Sequence, residues 1–130
     1  MSLLLLDTHT YVWAMTSPGK LSRRAREGIE DPGNTLLVSA ATAWEMAIKH
    51  RAGRWPEAEI LLAQHDDLTI RLGAQTLEIT AAAAVRAGGL DWAHGDPFDR
   101  MLAAQSLLHH AVLVTRDPVF SELKGLSLLW

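Results

Sequence analysis

Leu3-Leu4-Leu5-Leu6-Asp7-Thr8-His9 is the stretch from which the fold can be read. Four leucines in a row show no polar alternation. A strand made of them needs cover on both faces, as in the middle of a parallel sheet. Asp7 and Thr8 end the run and put an acid directly beyond the strand's carboxyl end. A second apolar run, Ala111-Val112-Leu113-Val114, closes in the same way with Thr115-Arg116-Asp117-Pro118. In open parallel sheets ligands bind beyond the carboxyl ends of the strands, where the strand order reverses. Asp7 and Asp117 share that edge once the two strands are neighbours.

Working outward, strands and helices alternate. Thr8 to Met15 predicts a short helix, stopped by Pro18-Gly19. Leu21 to Glu30 predicts a second, with Leu21, Ala25 and Ile29 inward and Arg23, Arg24 and Arg26 outward. Leu36-Val38 reads as a strand. Ser39 is the expected N-cap of a helix from Ala40 to about Arg51, closed by Gly53. A further helix is expected after Pro56. Leu68-Leu72 alternates in the manner of a strand. Thr76 to Ala87 is Ala-rich and reads as helical, ended by Gly88-Gly89. In His94-Gly95-Asp96-Pro97-Phe98-Asp99-Arg100-Met101, Gly95 breaks the chain, Asp96 caps, and Pro97 opens a helix to about His110. Beyond Asp117 come a short helix and a last strand, Leu126-Trp130. The pattern predicts a single domain over residues 1–130. Its class is α/β, in three α/β/α layers around a central, mostly parallel sheet.

Composition narrows the function. There is no cysteine, which excludes disulfides, thiol catalysis and zinc-thiolate sites. With 48% apolar and 21% charged residues the chain is expected to fold rather than stay disordered. Leu3-Leu6 is too short to span a membrane and lacks the basic flank of a signal peptide, so a cytoplasmic location without membrane contact is expected. The net charge of -3 does not advertise a nucleic-acid binder, yet the acids can gather in one pocket with the bases elsewhere. No phosphate-binding glycine loop, dinucleotide fingerprint or serine elbow is present.

Four acids remain as candidate chemistry: Asp7, Glu45, Asp99 and Asp117. Each has a plain structural reading. Asp7, Asp96 and Asp117 suit N-caps. Asp99 suits the third helical position of a capping box, and Glu45 can pair with Lys49 one turn on. Brought together they are costly, because like charges raise one another's pKa. A cluster of oxygen donors selects a hard cation such as magnesium or manganese. Such a site can activate water against a phosphodiester. His9 and His94 flank the acid motifs and read as polar residues that shape loops. Of the five tryptophans, most read as core, with Trp13 or Trp55 candidates for an exposed interface.

Leu3-Leu6 with Asp7-Thr8-His9, Ser39 through Trp44-Glu45-Met46-Ala47-Ile48-Lys49, the segment from His94 to Gln105, and Thr115-Arg116-Asp117 occur in that order. This set resembles the PIN-domain family, and within it the VapC-like toxins of toxin–antitoxin pairs. The resemblance spans essentially the whole chain. It implies a magnesium- or manganese-dependent ribonuclease, frequent homodimers and inhibition by a cognate antitoxin. It matches Asp7, Glu45 and Asp99 to the central acids, Asp117 to the fourth, and Thr115 to a small hydroxyl residue near the site. Asp96 is a subgroup feature. Thr8, Lys49 and Arg116 stand beside the acids as support. Lys20, Arg23, Arg24, Arg26, Lys49, Arg51, Arg54 and Arg116 are the bases available to an RNA backbone. The apolar Tyr11, Val12, Met15 and Leu21 are expected to offer an antitoxin a surface.

Two other readings stand beside this one. A phosphoryl-transfer domain of the haloacid-phosphatase or response-regulator sort also puts an Asp after its first strand. The first wants Asp-x-Asp, but position 9 is His. The second wants paired acids there and a later Lys, and neither is evident. A catalytically inactive PIN-like module that binds RNA or a protein is the other alternative, and the intact acid quartet argues against it.

Overall fold

Leu4 and Leu6 pack into one hydrophobic core and Leu5 into another, on opposite sides of the strand they form. The computed structural model describes residues 1–130, and this leucine strand, β1 (Leu3–Leu6), lies at its centre. The same division repeats in β2 (Thr35–Ser39), with Leu36 and Val38 on one side and Leu37 on the other. It repeats again in β4 (Val112–Val114), through Val114 and Leu113. Strands buried on both faces carry no polar alternation, which is why all three read as plain apolar runs.

The five strands are parallel throughout, in the order β3-β2-β1-β4-β5, with β3 (Ala74–Leu77) and β5 (Leu128–Leu129) at the edges. Leu6 is in register with Val38 on one side and Val114 on the other. The chain winds outward from β1 in one direction through β2 and β3, then returns to start again at β4. The order therefore reverses between β1 and β4, and the crevice beyond their carboxyl ends is where a ligand site is expected.

Helices fill both layers: α1 (Thr8–Thr16), α2 (Arg23–Glu30), α3 (Ala40–Arg51), α4 (Ala58–Ala63), α5 (His65–Arg71), α6 (Ala81–Gly89) and α7 (Pro97–His109). Side-chain caps start several of them. Ser22 accepts from Ala25 N at 3.0 Å, Ser39 from Ala41 N at 3.0 Å, and Thr80 from Ala83 N at 3.1 Å. No helix is long and apolar enough to cross a membrane.

The structure departs from the sequence reading in three places. Leu68-Leu72 is not a strand: residues 65–71 are α5, with Thr69 buried and Ile70 71% exposed. The strand comes just after it, at Ala74–Leu77, where a helix from Thr76 was expected. Gly73, at φ +79°, turns the chain out of α5, and β3 then pairs with β2. Helix α6 begins only after the Thr80 cap. The third departure concerns the surface expected for a partner. Tyr11, Val12 and Leu21 are buried in the core and cannot offer an apolar face, and Met15 packs against that core. Trp55 is likewise buried, while Trp13 is half-buried.

Candidate active site

The two central strands deliver two of the acids. Asp7 follows β1 and caps α1, its Oδ1 accepting from Thr10 N at 2.8 Å. Its other oxygen accepts from the Thr115 hydroxyl, just past β4. Asp7 N and Thr10 Oγ1 both donate to the Val114 carbonyl, at 3.1 and 2.8 Å. Asp7 is thus clamped between the ends of two neighbouring strands. Asp117 follows on the same loop, its N–H donating to Thr115 Oγ1 at 3.0 Å. It caps the one-turn helix Pro118–Glu122 and is exposed.

The other two acids come from helices. Ser39 ends β2 and starts α3 without a linker, and Glu45 lies on the second turn of that helix, 6% exposed. Glu45 accepts from Thr8 Oγ1 at 2.7 Å and from Lys49 Nζ at 2.6 Å. Glu45 thus pairs with Lys49 and still lines the same cavity as the other acids. Asp96 caps α7 by accepting from Phe98 N at 2.9 Å and Asp99 N at 3.1 Å. This leaves the Asp99 carboxylate free to turn toward His94, whose Nε2 lies 2.7 Å away.

All four acids line one cavity of about 210 Å³, with Thr8, His9, Lys49 and Asp96 completing its wall. No apolar side chain lines it. Every supporting residue singled out in the sequence is placed around it: Thr8 on Glu45, Lys49 on Glu45, Thr115 on Asp7, and Arg116 at an adjoining cleft. By contrast, Arg23 and Arg26 are spent locally on α2, on Glu27 and on the Pro18 carbonyl.

Burial pushes the Asp7 carboxyl above its ordinary range, against the hydrogen bond from Thr115. Burial also pushes Asp99 up, to about 6, and the negative charges of Asp96 and Glu45 add to this while His94 opposes it. The pocket therefore resists filling with negative charge unless a cation enters.

As the side chains stand, no three His, Asp or Glu groups converge on a ready-made ion position. The inner carboxylates are held instead by Thr10, Thr115, Thr8, Lys49 and His94. The donor chemistry nevertheless fits a hard divalent cation: carboxylate oxygens dominate, burial disfavours the charged forms of Asp7 and Asp99, and the one lysine in the wall pairs with Glu45 rather than with them.

Two residues had more to do here than their sequence context showed. His94 contacts Asp99 directly. Arg100 spans the loop behind it, donating to the carbonyls of Ala87, Trp92, His94 and Leu90 at 2.8–3.0 Å and of Gly88 at 3.3 Å. No sequence pattern marks an arginine that serves backbone carbonyls.

Fold and site together define a three-layer α/β/α domain with a carboxylate pocket at the point where the order of its parallel sheet reverses. The chain belongs to the PIN domain family, whose model matches residues 4–126. It is 32% identical over 118 residues to Ribonuclease VapC22 of Mycobacterium tuberculosis, covering 90% of this chain and 88% of that protein. A shorter match, 38% identical over 54 residues, joins it to Ribonuclease VapC16 of the same organism, covering 42% of this chain and 38% of that protein. Among solved structures it resembles VapBC2 of Rickettsia felis bound to a promoter DNA fragment, with a TM-score of 0.71 at 18% identity, covering 97% and 96% of the two chains. DNA-bound VapBC of Salmonella typhimurium gives 0.66 at 18% identity, covering 98% and 97%. At such identities these structures establish the shared fold.

Proposed function

We propose that this protein is a magnesium- or manganese-dependent endoribonuclease acting as the toxin of a toxin–antitoxin pair. The observation that carries this reading is the gathering of Asp7, Glu45, Asp99 and Asp117 around one cavity at the reversal point of the sheet. The likeness to Ribonuclease VapC22 across nine-tenths of the chain supports the same activity. Asp7 and Asp99 are the residues that would hold an ion most directly, with Glu45 and Asp117 completing the oxygen set. Bound there, magnesium or manganese supplies activation of water and neutralisation of charge on a phosphodiester. Thr115 and Thr10 fix the Asp7 carboxylate, and Thr8 fixes Glu45, so both are oriented before anything binds. Lys49 sits at the wall of the pocket, and Arg116 at the cleft beside it, where a phosphate backbone would pass.

The named toxin–antitoxin complexes of the same fold, including one from Klebsiella pneumoniae, support a protein antitoxin as partner. A homodimer belongs to the same reading, supported by the exposed Trp44, Ile48 and Val85. Incubating RNA with the protein and magnesium, manganese or excess chelator tests the activity. Cleavage is expected with either ion and none with chelator, and cleavage that survives chelation would remove the metal from this reading. Expression in growing cells tests the toxin role: arrest is expected, and harmless expression with all four acids intact would count against it. Sedimentation tests the dimer.

A further inference from the structure

Beside the acid pocket flat and cationic side chains stand in a row, with the buried Trp55 ring under exposed His9 and half-buried Trp13. Lys49 Nζ lies 5.2 Å from the centre of the Trp55 ring, Trp55 lies 4.9 Å from His9, and His9 lies 5.5 Å from Trp13. The Arg116 guanidinium stands over the other end, 5.7 Å from the Trp13 ring centre. A cleft of about 320 Å³ opens here, lined by Asp7, His9, Trp13, Arg116, Asp117 and Pro118. That is within the ~300–1,000 Å³ of small-molecule sites. Three of its residues, Asp7, His9 and Asp117, also line the acid pocket, so the two cavities adjoin.

We infer that this cleft is a nucleobase subsite: a base next to the scissile phosphate stacks on the Trp13 ring in the place the exposed Arg116 guanidinium now takes, and Arg116 moves onto the adjoining phosphate. This deepens the ribonuclease reading and rests on it. Several observations favour a base over a protein side chain as the occupant. Half-buried Trp13 is flanked by the exposed His9 ring and by Trp130, 6.0 Å away, so the cleft offers one supported aromatic ring among polar residues rather than an apolar groove. Arg116 is exposed and forms no ion pair although Asp117 is its neighbour, so its charge is available to a phosphate. Aromatic faces flanked by arginine are how proteins hold single-stranded nucleic acid without reading base edges. The remaining wall is acidic, which would repel a bare phosphate. It suits a base, whose ring carries donor groups and no charge.

The test measures binding of a short single-stranded RNA in excess chelator at low ionic strength, beside the same RNA with its bases removed. Trp13→Ala should weaken binding of the intact RNA by about 5- to 100-fold. Trp13→Phe should retain most of it. The baseless RNA should bind the parent more weakly and lose nothing further in Trp13→Ala, as a double-mutant cycle requires for a true base–ring contact. Arg116→Gln, on an exposed side chain that leaves folding intact, should weaken both RNAs and reduce the salt dependence by the share of one phosphate contact. Equal loss with both RNAs in Trp13→Ala, or no loss with the intact one, overturns the subsite. Unchanged RNA binding with altered sedimentation would overturn it too, and make the cleft a contact between copies. The parent's cleavage with magnesium or manganese separates the two levels. If the parent cleaves RNA but Trp13→Ala binds like it, the subsite alone falls; if the parent neither binds nor cleaves RNA, both readings fall together.

Discussion

Asp96 and Asp99 stand one helical turn apart on α7 and do different work. Asp96 spends its carboxylate on two backbone N–H groups, a task Asn performs about as well. Asp99 caps nothing with its carboxylate, which faces the pocket and His94. Asp96→Asn is therefore expected to keep the fold and a sizeable part of the activity. Asp99→Asn is expected to lose more than the ~10–100-fold that removal of an outer-shell partner costs a metal site. An RNA cleavage assay on both variants decides this, and an inactive Asp96→Asn beside an active Asp99→Asn would exchange their roles. The same residue sets a pH dependence. In the folded protein Asp99 titrates at about 6, above its ordinary value of 3.8. The native state therefore binds the proton more tightly than the unfolded chain, and stability falls as pH rises from about 4 to about 6, then levels off. Asp7 is raised as well and acts in the same direction. Melting in chelator across that range should show the fall in the parent and a shallower one in Asp99→Asn. A parent that gains stability between pH 4 and 6 relative to Asp99→Asn would contradict the raised pKa.

The elements explain how much could be read in advance. β1, β2 and β4 were legible because strands covered on both faces must be apolar at every position, and α7 because Asp96-Pro97 is a strong start signal. Edge strand β3 was not. Of Ala74-Gln75-Thr76-Leu77 only Ala74 is buried, so its pairing with β2 left no apolar signature. The apparent alternation just before it belongs to one turn of α5. Of the acids that line the cavity, Asp7, Asp99 and Asp117 were legible because each follows a strand or sits in the first turn of a helix, where Asp is conspicuous; Glu45, on the second turn of α3, stood out only as one member of the set that resembles the PIN family. The loop behind Asp99 was not, since Arg100 holds it through carbonyls, which every residue has. Lys in place of Arg offers one compact ammonium instead of a planar fork and cannot serve that set of carbonyls. Arg100→Lys should cost ~1–3 kcal/mol in denaturant unfolding, the penalty for leaving such groups unpaired. It should also speed amide exchange over residues 88–95. Unchanged exchange there would mean that the loop is held by its packing alone.

At the scale of the whole molecule, folding itself assembles the charge. Asp7 and Asp117 come from the ends of the central strands, Glu45 and Asp99 from two helices, and only the assembled sheet with its helices sets them around one cavity. The unfolded chain, with its acids dispersed, has no comparable site, so an ion that binds the pocket must stabilise the fold. For one site the gain is RT ln(1 + [L]/Kd), or ~2.7 kcal/mol at a hundredfold excess over Kd. Magnesium or manganese should therefore raise the melting temperature of the parent progressively with concentration, and chelator should return it to its starting value. Without the ion, Asp99→Asn should melt no earlier than the parent, because one half-buried like charge has been removed. With the ion, it should gain almost nothing, because a charge proposed to hold the ion has gone. Sodium chloride at matched ionic strength separates this from screening, which acts on exposed charges and only weakly on enclosed ones. Equal gains in the parent and in Asp99→Asn would mean that the ion stabilises by general screening. An Asp99→Asn that melts early without metal yet still responds to magnesium would make Asp99 a structural residue, and would move the ion's site to the oxygens of Asp7, Glu45 and Asp117.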